Sequence, residues 1–234
     1  MIDFDHVSPD PHGDQPVVKA GVPVERATGA IVALHGRGSS AEDILGLAAA
    51  LDPGGFAYLA PQAAGHTWYP NRFTAPRSSN EPFLSSALGA VAATVARATV
   101  AGIPHERIVL LGFSQGACLA IEYAARHARR WGGVIVLSGG LIGPPGTPRD
   151  YPGSFAGTPI FLGCSDVDAH IPVERVHESA EVVQRMGGDV DKRIYPGMGH
   201  TVNQDEVEAV RALLACIAAG NSSPSKVNGS DDQI

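Results

Sequence analysis

The feature that most limits the fold is a repeated switch in apolar periodicity along the chain. Five short apolar runs, "GAIVALHG" (29–36), "FAYLAP" (56–61), "RIVLLG" (107–112), "GGVIVLSG" (132–139) and "PIFLG" (159–163), and the more polar "DKRIYP" (191–196), have strand length, and all end in Gly or Pro. Near-continuous apolar runs of this length suit strands buried on both faces. Between them lie stretches of helical period at 40–51, 82–101, 115–127, 173–186 and 203–219, with Ser40 placed to cap the first and Asp205 and Glu206 early in the last. This alternation predicts an α/β fold, a mostly parallel sheet covered by helices on both faces. Ligands in that architecture bind beyond the carboxyl ends of the strands.

The chain of 234 residues is long enough for one sizeable core, and a single domain over 1–219 is expected. Residues 1–20 read as irregular apart from one edge strand at 15–20. The polar "GNSSPSKVNGSDDQI" from 220 to 234 reads as a disordered tail. No apolar run of membrane-spanning length stands out, and "MIDFDHVSPD" lacks the apolar core of a secretory leader. With 17 Lys and Arg against 24 Asp and Glu, the formal charge of −7 argues against nucleic acid and stable membrane insertion. Cys118, Cys164 and Cys216 are scattered in apolar stretches without a CxxC pair, which predicts buried free thiols and a cytoplasmic setting.

One junction carries chemistry. In "RIVLLGFSQGACLAIEYAAR" (107–126) a strand pattern stops at Ser114, flanked two places on either side by Gly112 and Gly116, and a helix pattern starts at once. A serine at so sharp a turn is pushed out of the upper edge of the sheet, and glycines stand where a Cβ would clash. Free N–H groups of the following helix point toward the same spot and favour a developing anion. A serine hydroxyl needs a base to attack at neutral pH. His200, in "YPGMGHTV", follows the last strand pattern on a loop at the correct sheet edge, whereas His127 and His177 lie within helices and His105 precedes the elbow strand. Asp166 and Asp168, in "GCSDVDAHIP" after the 159–163 strand, both qualify to hold the imidazole tautomer. The other would be free to cap the helix starting near Pro172. Backbone N–H groups of Gln115 and of Arg37, in "HGRG" (35–38), are placed to form an oxyanion hole. His35 has no second ligand at metal spacing, so its ring is expected to brace the loop; no metal or other cofactor is expected. Trp68, Tyr69, Leu141, Ile142 and Met198 sit on loops expected at the same edge and are candidates to line the substrate pocket.

The stretches "LHGRGSSAEDIL", "GFSQGACLAIEYA", "GCSDVDAHIP" and "PGMGHTV", in this order over residues 29–218, resemble the phospholipase/carboxylesterase family of serine α/β-hydrolases. The resemblance implies an α/β-hydrolase fold without a large lid. It also implies hydrolysis of a small-molecule carboxylic ester through an acyl-enzyme, or of an acyl thioester. Ser114, an aspartate and His200 would form the triad, with Arg37 and Gln115 as the oxyanion hole. In the family the acid is usually followed by a Val-Pro or Ile-Pro pair, and Ile171-Pro172 stands at that spacing from Asp168, which points to Asp168. The chain departs from the family pattern in reading "HGRGSS" without an Asp after the second glycine, and in carrying Leu162 where the acid motif begins with His.

Overall fold

The computed structural model describes residues 10–51 and 54–220; the tail expected at 220–234 lies, from 221 onward, outside the described residues. In chain order the elements are β1 (Val17–Gly21), β2 (Gly29–Leu34), α1 (Ala41–Leu51), β3 (Phe56–Pro61), α2 (Phe83–Val100) and β4 (Ile108–Phe113). They continue with α3 (Gln115–Arg126), β5 (Gly133–Leu137), β6 (Pro159–Ser165), α4 (Val173–Arg185), β7 (Asp189–Tyr195) and α5 (Gln204–Ala218). Among the described residues seven strands form one sheet in the order β1-β3-β2-β4-β5-β6-β7. Only β1 runs antiparallel, with Val18 opposite Ala60. It is half-buried to exposed along its length, as an edge strand is.

Side chains alternate across the pleat, so each central strand feeds two cores. Val32, Leu34, Leu110, Val134 and Leu162 face α2, α3 and α4. Ile31, Ala33, Leu111, Ile135 and Phe161 face α1 and α5. Helix α3 is buried from Gln115 through Ala125 because it is apolar nearly all round. Helix α2 has the length and mean hydropathy, 1.4, of a membrane span, although Ser85, Gly89 and Arg97 interrupt its apolar run. In the fold Leu84, Ala87, Val91, Val95 and Ala98 bury one stripe of it in the core. The three thiols are free; Cys118 and Cys164 are buried, but Cys216 is only half-buried, since its side of α5 borders solvent.

The topology places the site. From β2 the chain steps to β3 on one side, then crosses back so that β4 lies on the other side of β2. The crevice between the carboxyl ends of β2 and β4 is therefore the point where the winding reverses, where ligands bind in open α/β sheets. "HGRG" leaves β2 there, and Ser114 leaves β4 there.

Candidate active site

Ser114 sits between β4 and α3 at φ 55° and ψ −118°, outside the regions open to most L-residues at low cost. Such strain costs roughly 1–3 kcal/mol and persists only where the surroundings enforce it. The surroundings here are two backbones in contact. A Cβ on Gly112 would collide with the main chain of Gly116 and Ala117, and a Cβ on Gly116 would collide with the carbonyls of Leu34 and His35. The elbow glycines thus let the start of α3 press against the end of β2. This brings the N–H of Gln115 close to the loop of Gly36 and Arg37, which lines the same cavity as Ser114.

His200 bridges serine and acid. Its Nε2 lies 2.8 Å from Ser114 Oγ, and its Nδ1 lies 2.6 Å from Asp168 Oδ2. The imidazole is held edge-on by His170, 4.8 Å between ring centroids, and packs at a tilt on Phe113. The Asp168 side chain is fully buried. Burial opposes its charge, but hydrogen bonds from His200 and from the backbone N–H groups of His170 and Ile171 outweigh that and hold the carboxyl below its ordinary range. Asp168 Oδ1 accepts both backbone bonds, which leaves Oδ2 for the imidazole. Asp166 instead turns to solvent, and its Oδ1 accepts from Gly197 N–H at 2.8 Å. It caps no helix, contrary to the expectation for the acid left over. Pro172 precedes α4 with no side-chain cap, and Asp166 instead ties to Gly197 on the loop that carries His200.

That loop is held at its far end by α5. Asn203 accepts from Glu206 N–H, and Glu206 Oε2 accepts from Asn203 N–H, a reciprocal cap that starts the helix three residues after His200. The other Glu206 oxygen is buried and unbonded against Gly163. Burial raises this carboxyl to about 7.

The loop after β2 is braced by His35, as expected of its ring, and by side chains of Arg37, Gln115 and His12 that the sequence did not single out for that work. His35 Nε2 accepts from Ala63 N–H at 3.1 Å, so Nδ1 carries the proton and donates to Gly36 O at 2.7 Å. Burial lowers its pKa, which keeps the ring neutral. The Arg37 guanidinium donates to the carbonyls of Tyr69, Pro70 and Asn71 at 2.8–2.9 Å, tying the loop after β2 to the loop after β3. The Gln115 side chain clamps the same segment, accepting from Trp68 N–H and donating to Tyr69 O. His12 adds a further clamp, with Nε2 3.0 Å from Trp68 O and Nδ1 accepting from Ala64 N–H.

A cavity of about 590 Å³ opens over Ser114 and His200. Of the five residues expected to line it, only Tyr69 does. Trp68 is wholly buried beneath the wall, where its indole N–H donates to His35 O at 2.8 Å. Leu141 and Ile142 are core residues, because their backbone is gripped by charge. Arg175 donates to Leu141 O, and the buried carboxylate of Glu122, paired with Arg77 and Arg126, accepts from Ile142 N–H. Met198 faces Asn203, whose Nδ2 lies 3.1 Å from its sulfur. The walls are built instead from Asn71, Arg72, Phe73, Phe113, His170 and Ile171, together with the elbow and Arg37. Cys118 also lines the floor, but burial pushes its thiol up to about 12, so it is no thiolate nucleophile. Among the described residues no group of three or more His, Cys, Asp or Glu side chains is arranged to hold a metal ion.

A sheet of this order, with the elbow at the reversal point and a histidine after the last strand, defines an α/β-hydrolase. The sequence matches the phospholipase/carboxylesterase family over residues 15–218, and the chain belongs to that family. A crystal structure of a phospholipase/carboxylesterase from Dyadobacter fermentans is similar at 44% identity and a TM-score of 0.84, covering 86% of this chain and 97% of that one. Among curated relatives, acyl-protein thioesterase 1 of Gibberella zeae is 34% identical over 48% of this chain and 49% of its own length. A probable carboxylesterase of Oryza sativa subsp. japonica is 30% identical over 59% of this chain and 54% of its own. The chain thus spans about half the length of the curated relatives it matches.

Proposed function

We propose that the chain is a serine hydrolase that cleaves carboxylic esters of small soluble substrates through an acyl-enzyme. The observation that carries this reading is the unbroken hydrogen-bonded chain Ser114–His200–Asp168 at the floor of an open cavity. Ser114 Oγ attacks the carbonyl carbon while its proton passes to His200 Nε2. Asp168 holds the imidazole tautomer and stabilises the imidazolium. The tetrahedral oxyanion rests on the N–H groups of Arg37 and Gln115, each supplying roughly 3 kcal/mol of transition-state stabilisation. His200 then protonates the departing alcohol oxygen as the C–O bond breaks. Water, deprotonated by His200, attacks the acyl-Ser114 and releases the acid and the free serine. Nothing in these steps calls on a cofactor.

A second reading, an acyl thioesterase, is favoured by the relatives that bear that name. The same groups serve it, with a thiol as leaving group. A fold retained only for binding would have no use for a serine held at φ 55° within 2.8 Å of an imidazole. Three free thiols suit action in a reducing, cytoplasmic compartment.

The test is Ser114→Ala, assayed with matched 4-nitrophenyl esters and acyl thioesters and with a fluorophosphonate probe. Hydrolysis and labelling are expected to vanish while the melting transition stays at or slightly above that of the wild type. Turnover near the wild-type rate would remove Ser114 from the mechanism.

A further inference from the structure

The charge around the cavity mouth is one-sided. Arg37 and Arg72 both line it, and among the described residues no Asp or Glu does, although the chain as a whole carries −7. Two carboxylates lie just behind the wall, and both are engaged. Asp168 accepts from His200, His170 and Ile171, and Asp43 accepts from the Ser39 hydroxyl and Ser40 N–H. Neither forms an ion pair with Arg37 or Arg72.

The two arginines are used differently. Arg37 spends its guanidinium on three carbonyls of the cavity wall at 2.8–2.9 Å, so it is fixed, and it is balanced by dipoles rather than by a counter-charge. Arg72 is exposed, on the loop after β3. Among the described residues its guanidinium makes a single long contact, 3.5 Å to the carbonyl of Ala169 across the mouth on the acid loop. A guanidinium has five donors in a planar fork that fits a carboxylate through two parallel bonds. One carbonyl at the limit of hydrogen-bond distance is a weak competitor for such a group. Arg72 therefore stands at the reactive cavity with most of its donors uncommitted among the described residues, and the fixed positive charge of Arg37 lines the same cavity.

We propose that Arg72 selects substrates in which one arm of the ester carries a carboxylate, held at the cavity mouth while the carbonyl reaches Ser114. The proposal rests on the serine-hydrolase reading above and names the substrate class of that site. Docking exchanges the long Ala169 contact for a charge-assisted pair. Because Arg72 is exposed, the pair is salt-sensitive.

The experiment compares kcat/KM for paired esters, one anionic and one neutral, in the wild type, Arg72→Gln and Arg72→Lys. In one series the carboxylate is on the acyl arm (4-nitrophenyl hemiglutarate against 4-nitrophenyl pentanoate). In the other it is on the alcohol arm (4-acetoxybenzoate against its methyl ester). The anionic-to-neutral ratio in each protein cancels any general loss in a variant, and comparing that ratio between variant and wild type cancels the intrinsic reactivity of the esters. The ratio is expected to fall about tenfold in Arg72→Gln for the arm that faces Arg72, to fall less in Arg72→Lys, and to decline with added salt in the wild type and more weakly in Arg72→Lys, but not in Arg72→Gln. Ratios within twofold of the wild type in both series overturn the proposal. Ser114→Ala separates the two levels: loss of turnover there with unmoved ratios in Arg72→Gln refutes the arginine's role alone. Neutral-ester turnover that survives Ser114→Ala removes the serine reading and this proposal with it.

Discussion

Replacing Asp168 by Asn isolates what the acid does, because the surroundings dictate how the amide must sit. Oδ1 of Asp168 accepts two backbone N–H bonds, from His170 at 2.8 Å and Ile171 at 3.0 Å. An amide NH₂ cannot take that place without opposing two donors, so the Asn oxygen occupies it. The NH₂ is then forced into the position of Oδ2, 2.6 Å from His200 Nδ1. Two donors cannot face each other, and the neutral imidazole moves its proton to Nε2. That nitrogen, 2.8 Å from Ser114 Oγ, is then protonated and cannot act as a base. The loop keeps its backbone bonds, so the fold survives. The expected loss in kcat is up to about 10⁴-fold, or about 5 kcal/mol of transition-state stabilisation. Asp166→Asn is the control: the amide oxygen still accepts from Gly197 N–H, and the loss should stay within about tenfold. The assay is steady-state hydrolysis of 4-nitrophenyl acetate together with the rate of fluorophosphonate labelling, with melting curves to check folding. A larger loss for Asp166→Asn, or an Asp168→Asn enzyme within tenfold of the wild type, would refute the assignment of the acid.

Gly116→Ala drives a Cβ into the Leu34 and His35 carbonyls, where no flexible side chain is present to yield. Destabilisation of about 3 kcal/mol is expected, together with loss of activity as Arg37 is displaced; an unchanged urea midpoint would contradict the packing described. Glu206 bears on pH dependence. Its carboxyl is raised by burial from 4.5 to about 7, so the folded state holds the proton more tightly than the unfolded chain. The stability this group contributes is full below pH 4.5, is lost as pH rises toward 7, and levels off above, a change of about 3 kcal/mol. Glu206→Gln should flatten that slope, and urea unfolding at pH 5 and pH 8 showing the same pH dependence in variant and wild type would refute it.

The order of the elements was legible in the chain because local chemistry writes it. Runs such as "FAYLAP" and "GAIVALHG" are apolar on both pleat faces, so they had to be interior strands, and β3 spans the residues expected, 56–61. The chain also marked the sharp turn at Ser114, since glycines two places on either side of a serine between strand and helix have few other uses. The lining of the cavity was not legible. Leu141 and Ile142 look like pocket residues on a Gly/Pro-rich loop, yet Arg175, from α4, and Glu122, from α3, draw their backbone inward. The spacing to Ile171-Pro172 pointed to Asp168 over Asp166, but the reason lies in the backbone turns at His170 and Ile171, whose N–H groups hold that carboxylate under His200. The side-chain work of Arg37, Gln115 and His12, and the partner that His35 braces against, were invisible for the same reason. Each joins segments 28 to 56 residues apart, as with His35 to Ala63 and His12 to Trp68. Periodicity and spacing report on neighbours along the chain, whereas a cavity wall is assembled from loops that meet only when the sheet aligns its strand ends. What the sequence alone determined was therefore the sheet, the helices and the turn that exposes a serine. The tertiary structure decided which side chains surround that serine and which charges stand free at its mouth.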